Sequence, residues 1–179
     1  MEPFVKLSYN LSDMIESFAP VVRKNTRLLI TGSMPGAASL KAGQYYAHPR
    51  NQFWRLMFDI CQPGRAPRDY ADKLNTLLSH GIGLWDTLAR CERPGSLDTA
   101  ISSPVPNDFP SLFAQYPAIH TLLFNGQAAS AHFKRAFNGF LGKKALLLPS
   151  TSPAHAALSY EQKAARWRKA LADSLGVNS

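Results

Sequence analysis

Four short apolar runs punctuate the chain: RLLITG (27–32), GIGLWDTL (81–88), HTLLFNG (120–126) and KALLLPS (144–150). The first, third and fourth are continuous rather than alternating, and each ends in glycine or Pro-Ser. Such runs predict strands buried on both faces, as in a parallel sheet covered by helices. The second run is more ambiguous. Between the runs, apolar residues recur at helical spacing. Residues 51–61 carry Phe53, Trp54, Met57 and Phe58, and residues 69–79 carry Leu74, Leu77 and Leu78. Residues 127–137 carry Ala128, Ala131, Phe133 and Phe137, and residues 159–175 carry Ala164, Trp167, Leu171 and Leu175. The last of these opens on SYEQ, a capping-box pattern, and its other side holds Lys163, Arg166 and Lys169, which reads as a solvated basic face.

Strands and helices therefore alternate. That order predicts an α/β protein of three layers with a parallel sheet of about four strands. In such sheets sites form beyond the carboxyl ends of the strands. The segments that follow the runs are GSMPG (32–36), the Trp85-Asp86 turn, NGQ (125–127) and PSTSPAH (149–155), all rich in small and polar residues. The Pro- and Ser-rich stretch RPGSLDTAISSPVPNDF (93–109) reads as a long ordered connection. No domain boundary is visible, so residues 1–179 are expected to form a single domain.

Composition narrows the class. With 45% hydrophobic and 18% charged residues the chain can build a core and is not a disordered polymer. There is no apolar run of membrane-spanning length, and the opening MEPFVKLSYN lacks the layout of a signal peptide. A cytoplasmic protein with no membrane association is expected. Cys61 and Cys91 sit in no metal or disulfide motif and read as reduced thiols. The net charge of +8 favours a polyanionic partner, of which DNA or RNA is the commonest.

Several chemistries fit poorly. GSMPG lacks the Gly-Lys-Ser/Thr ending of a Walker loop and the spacing of a dinucleotide fingerprint. It leaves backbone N–H groups to face an anion or a polar ring edge, or it is a plain tight turn. No Gly-x-Ser-x-Gly elbow supports Ser33, Ser150 or Ser152 as a nucleophile with His48 or His155 as its base. The histidines at 48, 80, 120, 132 and 155 show no metal-ligand spacing, so neither metal nor cofactor is expected. Asp86 follows a strand and reads either as a general base or as the cap of the next turn. GQYYAHPRNQFW (43–54) is costly material for a loop. Tyr45 and Tyr46 suit stacking on a base, worth roughly 1–3 kcal/mol per base, or packing beneath the loop. Asn51 can orient water or read a base edge, or cap the helix that follows.

Taken together, GSMPG, YYAHPRNQFW (45–54), LWDTL (84–88), RPGSLDTAI (93–101), NDF (107–109), LFNG (123–126) and LPSTSPAHA (148–156) resemble the uracil-DNA glycosylase superfamily. The likeness is to its hypoxanthine-DNA (deoxyinosine) glycosylase branch, near the mismatch-specific uracil/thymine glycosylases. It covers most of residues 27–157. It implies a central four-stranded parallel sheet between helices (α/β/α) and a monomeric, metal-free hydrolase. The enzyme would act on DNA containing deaminated bases in base excision repair, associating with the nucleoid when bound to DNA. Met34 stands where the mismatch-specific relatives have a catalytic asparagine. The resemblance therefore implies Asn51, in the HPRN run, as the catalytic residue that positions water. Tyr46 would stack on the base, with Tyr45 as second choice. Ser33 and Met34 would line the pocket through backbone atoms, and Asn125 would bond the base edge. Ser150, Ser152 and His155 would contact DNA or the leaving group, His155 having a structural hydrogen bond in its loop as the alternative. SPAHAAL (152–158) matches the intercalating loop in position, although Pro153 and Ala154 are small. No lysine is placed for β-elimination, so a monofunctional enzyme is expected. The rivals are a uracil-preferring or broad mismatch glycosylase, a non-catalytic DNA-binding domain of the same fold, and a small-molecule hydrolase.

Overall fold

The computed structural model describes residues 14–176; the opening MEPFVKLSYN lies outside the described residues. Four of the predicted segments form one parallel sheet. Its strands are β2 (Leu28–Gly32), β3 (Ile82–Asp86), β6 (Thr121–Asn125) and β7 (Lys144–Leu148), in the spatial order β3-β2-β6-β7. The two faces of this sheet carry separate cores. Leu28, Ile30, Ile82, Leu84 and Leu123 pack against helices α2 (Phe53–Cys61), α3 (Tyr70–Ser79) and α6 (Tyr160–Leu175). Leu29, Trp85, Leu122 and Phe124 pack against α4 (Phe109–Gln115) and α5 (Gln127–Phe137). The alternation of strand side chains between faces, both apolar, is why these runs read as continuous. β7 departs from that expectation. It is an edge strand, and Leu147 is 52% exposed because no further strand or helix covers it among the described residues.

The run 81–88 does not continue as one strand. The chain breaks at Thr87, whose amide donates to the carbonyl of Gly32 (2.8 Å). It then re-enters extended backbone as β4 (Leu88–Glu92). β4 joins β1 (Met14–Glu16) and β5 (Ser102–Pro106) in a three-stranded antiparallel sheet, order β1-β4-β5. The stretch 93–109 is thus a connection with structure of its own, a 3-10 turn at Asp98–Ala100 followed by β5. Its proline and serine content masks an edge strand, where proline is tolerated.

The four helices that periodicity predicts are present, with two corrections, and the short α1 (Ala37–Ala42) and α4 are additional to that expectation. On α5 the buried stripe is Ala129 and Phe133, while Ala131 is exposed. On α6 the capping box of Ser159 and Gln162 is formed as the SYEQ pattern predicts, but Lys163 is not part of a solvated face. It is 2% exposed, and its ammonium donates to the carbonyl of His155 (2.6 Å). The long stem reaches back over the helix start and braces the loop before it. Among the described residues no helix is long and apolar enough to cross a membrane.

Candidate active site

The loops at the carboxyl ends of β2, β3, β6 and β7 close around a cavity of about 280 Å³. That is at the small end of small-molecule sites, which run from about 300 to 1,000 Å³. Its lining contains no lysine or arginine; the ionisable side chains on it are His48, Tyr45, Tyr46, Asp86 and Asp98. A largely neutral, hydrogen-bonding chamber suits a planar uncharged ring better than a phosphate.

Sheet register sets the floor. Asp86 pairs directly with Gly32, and Asn125 follows Phe124, which pairs with Thr31. The ends of three adjacent strands therefore present Asp86, Gly32 and Asn125 side by side. Gly32 is needed there for space rather than for its dihedrals. A Cβ at that position would lie 2.5 Å from Asp86 Oδ1 and 3.3 Å from the Tyr46 hydroxyl. Asp86 Oδ1 points over the glycine, and this carboxyl oxygen and the Tyr46 hydroxyl converge on the space a Cβ would fill.

The remainder of GSMPG is held from behind. Ser33 is buried and its hydroxyl donates to Asp98 Oδ1 (2.6 Å). Met34 is buried against Leu88 and Cys91 while still reaching the cavity lining. Arg93, 6% exposed and without a carboxylate partner in the described ion pairs, donates to the carbonyls of Met34, Pro35 and Gly95. Three bonds from one fixed guanidinium fork set the path of the loop backbone.

GQYYAHPRNQFW divides between core and cavity. Tyr45 is 4% exposed, its ring edge-on to Phe18 and its hydroxyl donating to the carbonyl of Ala19 (3.2 Å). Although one part of it touches the cavity lining, it is a core residue and not a free stacking face, because Trp54 and Tyr70 clamp its backbone (2.8 and 2.9 Å). Tyr46 adopts φ 56°, a left-handed conformation that costs a bulky residue of order 1–3 kcal/mol. The strain turns its ring onto Phe53, with centroids 3.8 Å apart and planes 24° from parallel. Phe53 and Trp54 are the helix-to-core anchors, both buried. Asn51 lines the cavity, and its Oδ1 accepts from the amide of Phe53 (3.0 Å). It serves the start of α2 and the cavity at once, while the residue at the helix cap itself is Gln52.

The fourth wall is the loop 149–155. Thr151, fully buried, is its keystone. Its amide and hydroxyl bind the two ends of the Asn125 side chain (both 2.9 Å), and its carbonyl accepts from Gln52 (3.0 Å). Ser150 and Ser152 line the cavity, with hydroxyls that accept from the amides of Ser152 and Ala154 (both 3.2 Å). His155 is half-buried and is not on the lining; its backbone carries the bonds to Ser152 and Lys163.

Among these residues, Ser33, Met34, Tyr46, Asn51, Asn125, Ser150 and Ser152 were all expected at the site, and all meet at one cavity. Arg93, Asp98 and Thr151 carry no local signal, since each acts through a partner remote in sequence. Asp86 is the most informative of the residues left undecided by sequence. It is 3% exposed, and its Oδ2 has no hydrogen-bond partner. Burial, reinforced by the charge of Asp98 and opposed by Arg93, pushes its carboxyl up to about 7.

This has a consequence for stability. The carboxyl is favoured in its neutral form by the fold, so its contribution is fully present below the unfolded value near 3.8 and is lost as pH rises to about 7. At about 1.4 kcal/mol per pH unit, keeping it ionised in the folded chain costs up to roughly 4 kcal/mol. The Asp86→Asn variant is expected to melt several degrees above the wild type at pH 8 and to converge with it near pH 4. Equal melting temperatures at pH 8, measured by calorimetry, would show that the carboxyl is better solvated than its burial implies.

The same fold occurs in known proteins. The family model of the uracil DNA glycosylase superfamily matches residues 19–175. The chain belongs to the uracil DNA glycosylase superfamily. Within it, the chain is 38% identical over 117 residues to a hypoxanthine DNA glycosylase of Methanosarcina barkeri, covering 65% of this chain and 74% of that one. It is 36% identical over 138 residues to a hypoxanthine DNA glycosylase of Methanosarcina acetivorans, covering 77% and 86%. A solution NMR structure of a Methanosarcina acetivorans protein, provisionally named a uracil DNA glycosylase, superimposes with a TM-score of 0.75 at 32% identity. That match covers 91% of this chain and 99% of the other. The glycosylase fold of the superfamily thus accounts for the parallel sheet and for a cavity at the ends of its strands.

Proposed function

We propose that this superfamily member is a monofunctional DNA glycosylase that hydrolyses the N-glycosidic bond of deaminated bases, with hypoxanthine as its main substrate. It acts as a monomer and a single domain over residues 1–179, in the cytoplasm and on the nucleoid when bound to DNA. The observation that carries the reading is the meeting of Tyr46, Asn51 and Asn125, from three separate segments, around one cavity of base size. The names of the Methanosarcina relatives support hypoxanthine as the substrate.

A base inside a duplex is out of reach, so the target nucleotide must leave the stack. The net charge of +8 supplies the attraction for phosphates. Tyr46, already backed by Phe53, offers a rigid face to the flipped base. Asn125, pinned by Thr151, presents an amide to a carbonyl beside an N–H. Asn51 positions water at the sugar C1′, and the backbone of Ser33 and Met34 completes the wall. Ser150, Ser152 and His155 belong to the rim that meets the DNA. Attack of water forms the new C–O bond as the C1′–N bond breaks. The base departs with the bonding electrons, and the product is an abasic site.

Uracil shows the same carbonyl and N–H pair, so a uracil-preferring enzyme is the second reading. One assay separates the two. Duplexes bearing deoxyinosine, deoxyuridine or deoxyxanthosine are incubated without metal and scored for abasic sites before and after alkali. Fastest release from deoxyinosine, with strand breaks only after alkali, is expected. Faster release of uracil would favour the second reading, and no release from any duplex would leave a DNA-binding domain. In the same system, raising salt from 50 to 200 mM is expected to weaken binding at least about tenfold, because released counterions drive association.

A further inference from the structure

We propose that the Asp86 carboxyl is a catalytic acid that delivers a proton to the departing purine, and that it makes the site selective for purines over pyrimidines. The inference rests on the glycosylase reading and adds a residue and a step to it.

The position is the first reason. Asp86 is level with Gly32 and lies across β2 from Asn125, at the floor of the cavity, whereas Asn51 enters from the loop before α2. A base that stacks on Tyr46 and reaches Asn125 brings its ring edge to the floor. Its sugar stays toward the mouth, where water must attack. Asp86 is therefore at the leaving-group end of the bond and not at the water end. The second reason is the unpartnered Oδ2, on a side chain that is 3% exposed. An orphaned buried oxygen is costly unless a ligand satisfies it. Third, Gly32 leaves Oδ1 of the same carboxyl uncrowded, where a Cβ would lie 2.5 Å from it.

The surroundings raise the carboxyl so that its neutral form is well populated near neutral pH. Tyr45 and Tyr46 face it from the loop before α2, Tyr70 from α3, Asp98 from the 3-10 turn and Arg93 from the end of β4. Only Arg93 favours the ionised form, and its bonds go to backbone carbonyls. Carboxyls held near neutrality are suited to proton transfer. In the proposed step the carboxyl gives its proton to a ring nitrogen of hypoxanthine as the C1′–N9 electron pair moves onto the base. Water supplies the oxygen at C1′, and the proton it sheds returns through solvent to the carboxylate. Atoms and charge balance without any other reactant. Uracil has no imidazole nitrogen to accept that proton, so its release gains little.

The test is single-turnover release from deoxyinosine and deoxyuridine duplexes between pH 5 and 9, with wild type and Asp86→Asn. Wild-type release of hypoxanthine is expected to be level below about pH 7 and to fall about tenfold per unit above it, because the acid form is lost. The Asp86→Asn rate is expected to be at least about 30-fold lower on deoxyinosine and level with pH. Its loss on deoxyuridine should be several-fold smaller than on deoxyinosine, since uracil offers no imidazole nitrogen to protonate. Deoxyinosine release within threefold of wild type, with the same pH profile, overturns the proposal. A second measurement needs no variant: 7-deaza-deoxyinosine, which lacks the accepting nitrogen, should resist the wild-type enzyme, and equal release overturns the proposal independently of folding. If the wild type releases no hypoxanthine at any pH, the glycosylase reading falls and this inference with it. If the wild type is active and the variant or analogue is unaffected, the inference alone falls.

Discussion

Replacing Asn51 with alanine is expected to slow hypoxanthine release in single turnover by two to three orders of magnitude, the range for removing one positioned polar group at a reaction centre. The side chain is pre-set for this work. Its Oδ1 accepts from the Phe53 amide (3.0 Å), while its backbone N–H donates to the carbonyl of His48 (2.8 Å). The first bond orients the carboxamide and the second holds the backbone that carries it at the cavity wall. Stability should suffer far less, by about 1 kcal/mol, the worth of a lost helix-terminal bond. The two effects are separable by measuring release and the melting temperature on the same preparation. A rate loss below about threefold would remove Asn51 from the chemistry and leave it as a helix-start residue. Met34 cannot substitute, because its thioether is at best a weak acceptor and is packed against Leu88 and Cys91.

The Gly32→Ala variant is expected to lose hypoxanthine release by about 100-fold through geometry alone. The new methyl would sit 2.5 Å from Asp86 Oδ1 and 3.3 Å from the Tyr46 hydroxyl. Backbone oxygens cannot yield, but here the atoms met belong to side chains, so the carboxyl must swing aside and the tyrosine must shift. Overpacking of this kind costs about 1–3 kcal/mol in a core, so the protein should remain folded. The φ of Gly32 lies outside the left-handed range, which removes backbone strain as an explanation. Wild-type release with a wild-type melting temperature would mean that the floor of the cavity adapts, and that its shape is not what holds the base.

Much of this was legible in the chain. Continuous apolar runs identified three of the parallel strands, β2, β6 and β7, while the run that holds β3 was ambiguous because it continues past the turn at Thr87 into β4. SYEQ identified the start of α6, because a capping box is a local pairing of side chain and backbone. β1 and β5 were not legible. Each is short and lies in a small antiparallel sheet, and β5 contains Pro104 and Pro106. Lys163 was misread for a similar reason: periodicity places a residue on a helix face but does not say what loop folds over it.

The site divides along the same line. Asn51, Tyr46, Asn125 and the GSMPG loop could be named from sequence, because each lies in a compact motif. Tyr46 was ranked above Tyr45 as the stacking residue through the family resemblance, not through the chemistry of the two side chains. They are adjacent and chemically alike, and only the left-handed φ of Tyr46 sends one ring to the cavity while the other enters the core. Sequence by itself determined the parallel sheet, the order of its elements and the loops that follow its strands, since these depend on local periodicity and turn chemistry. Tertiary structure alone decided that Arg93 clamps GSMPG, that Thr151 pins Asn125 and that Asp86 lies unpartnered beside Gly32. Hydrogen bonding and desolvation act between groups tens of residues apart, and no local pattern records which of them will meet.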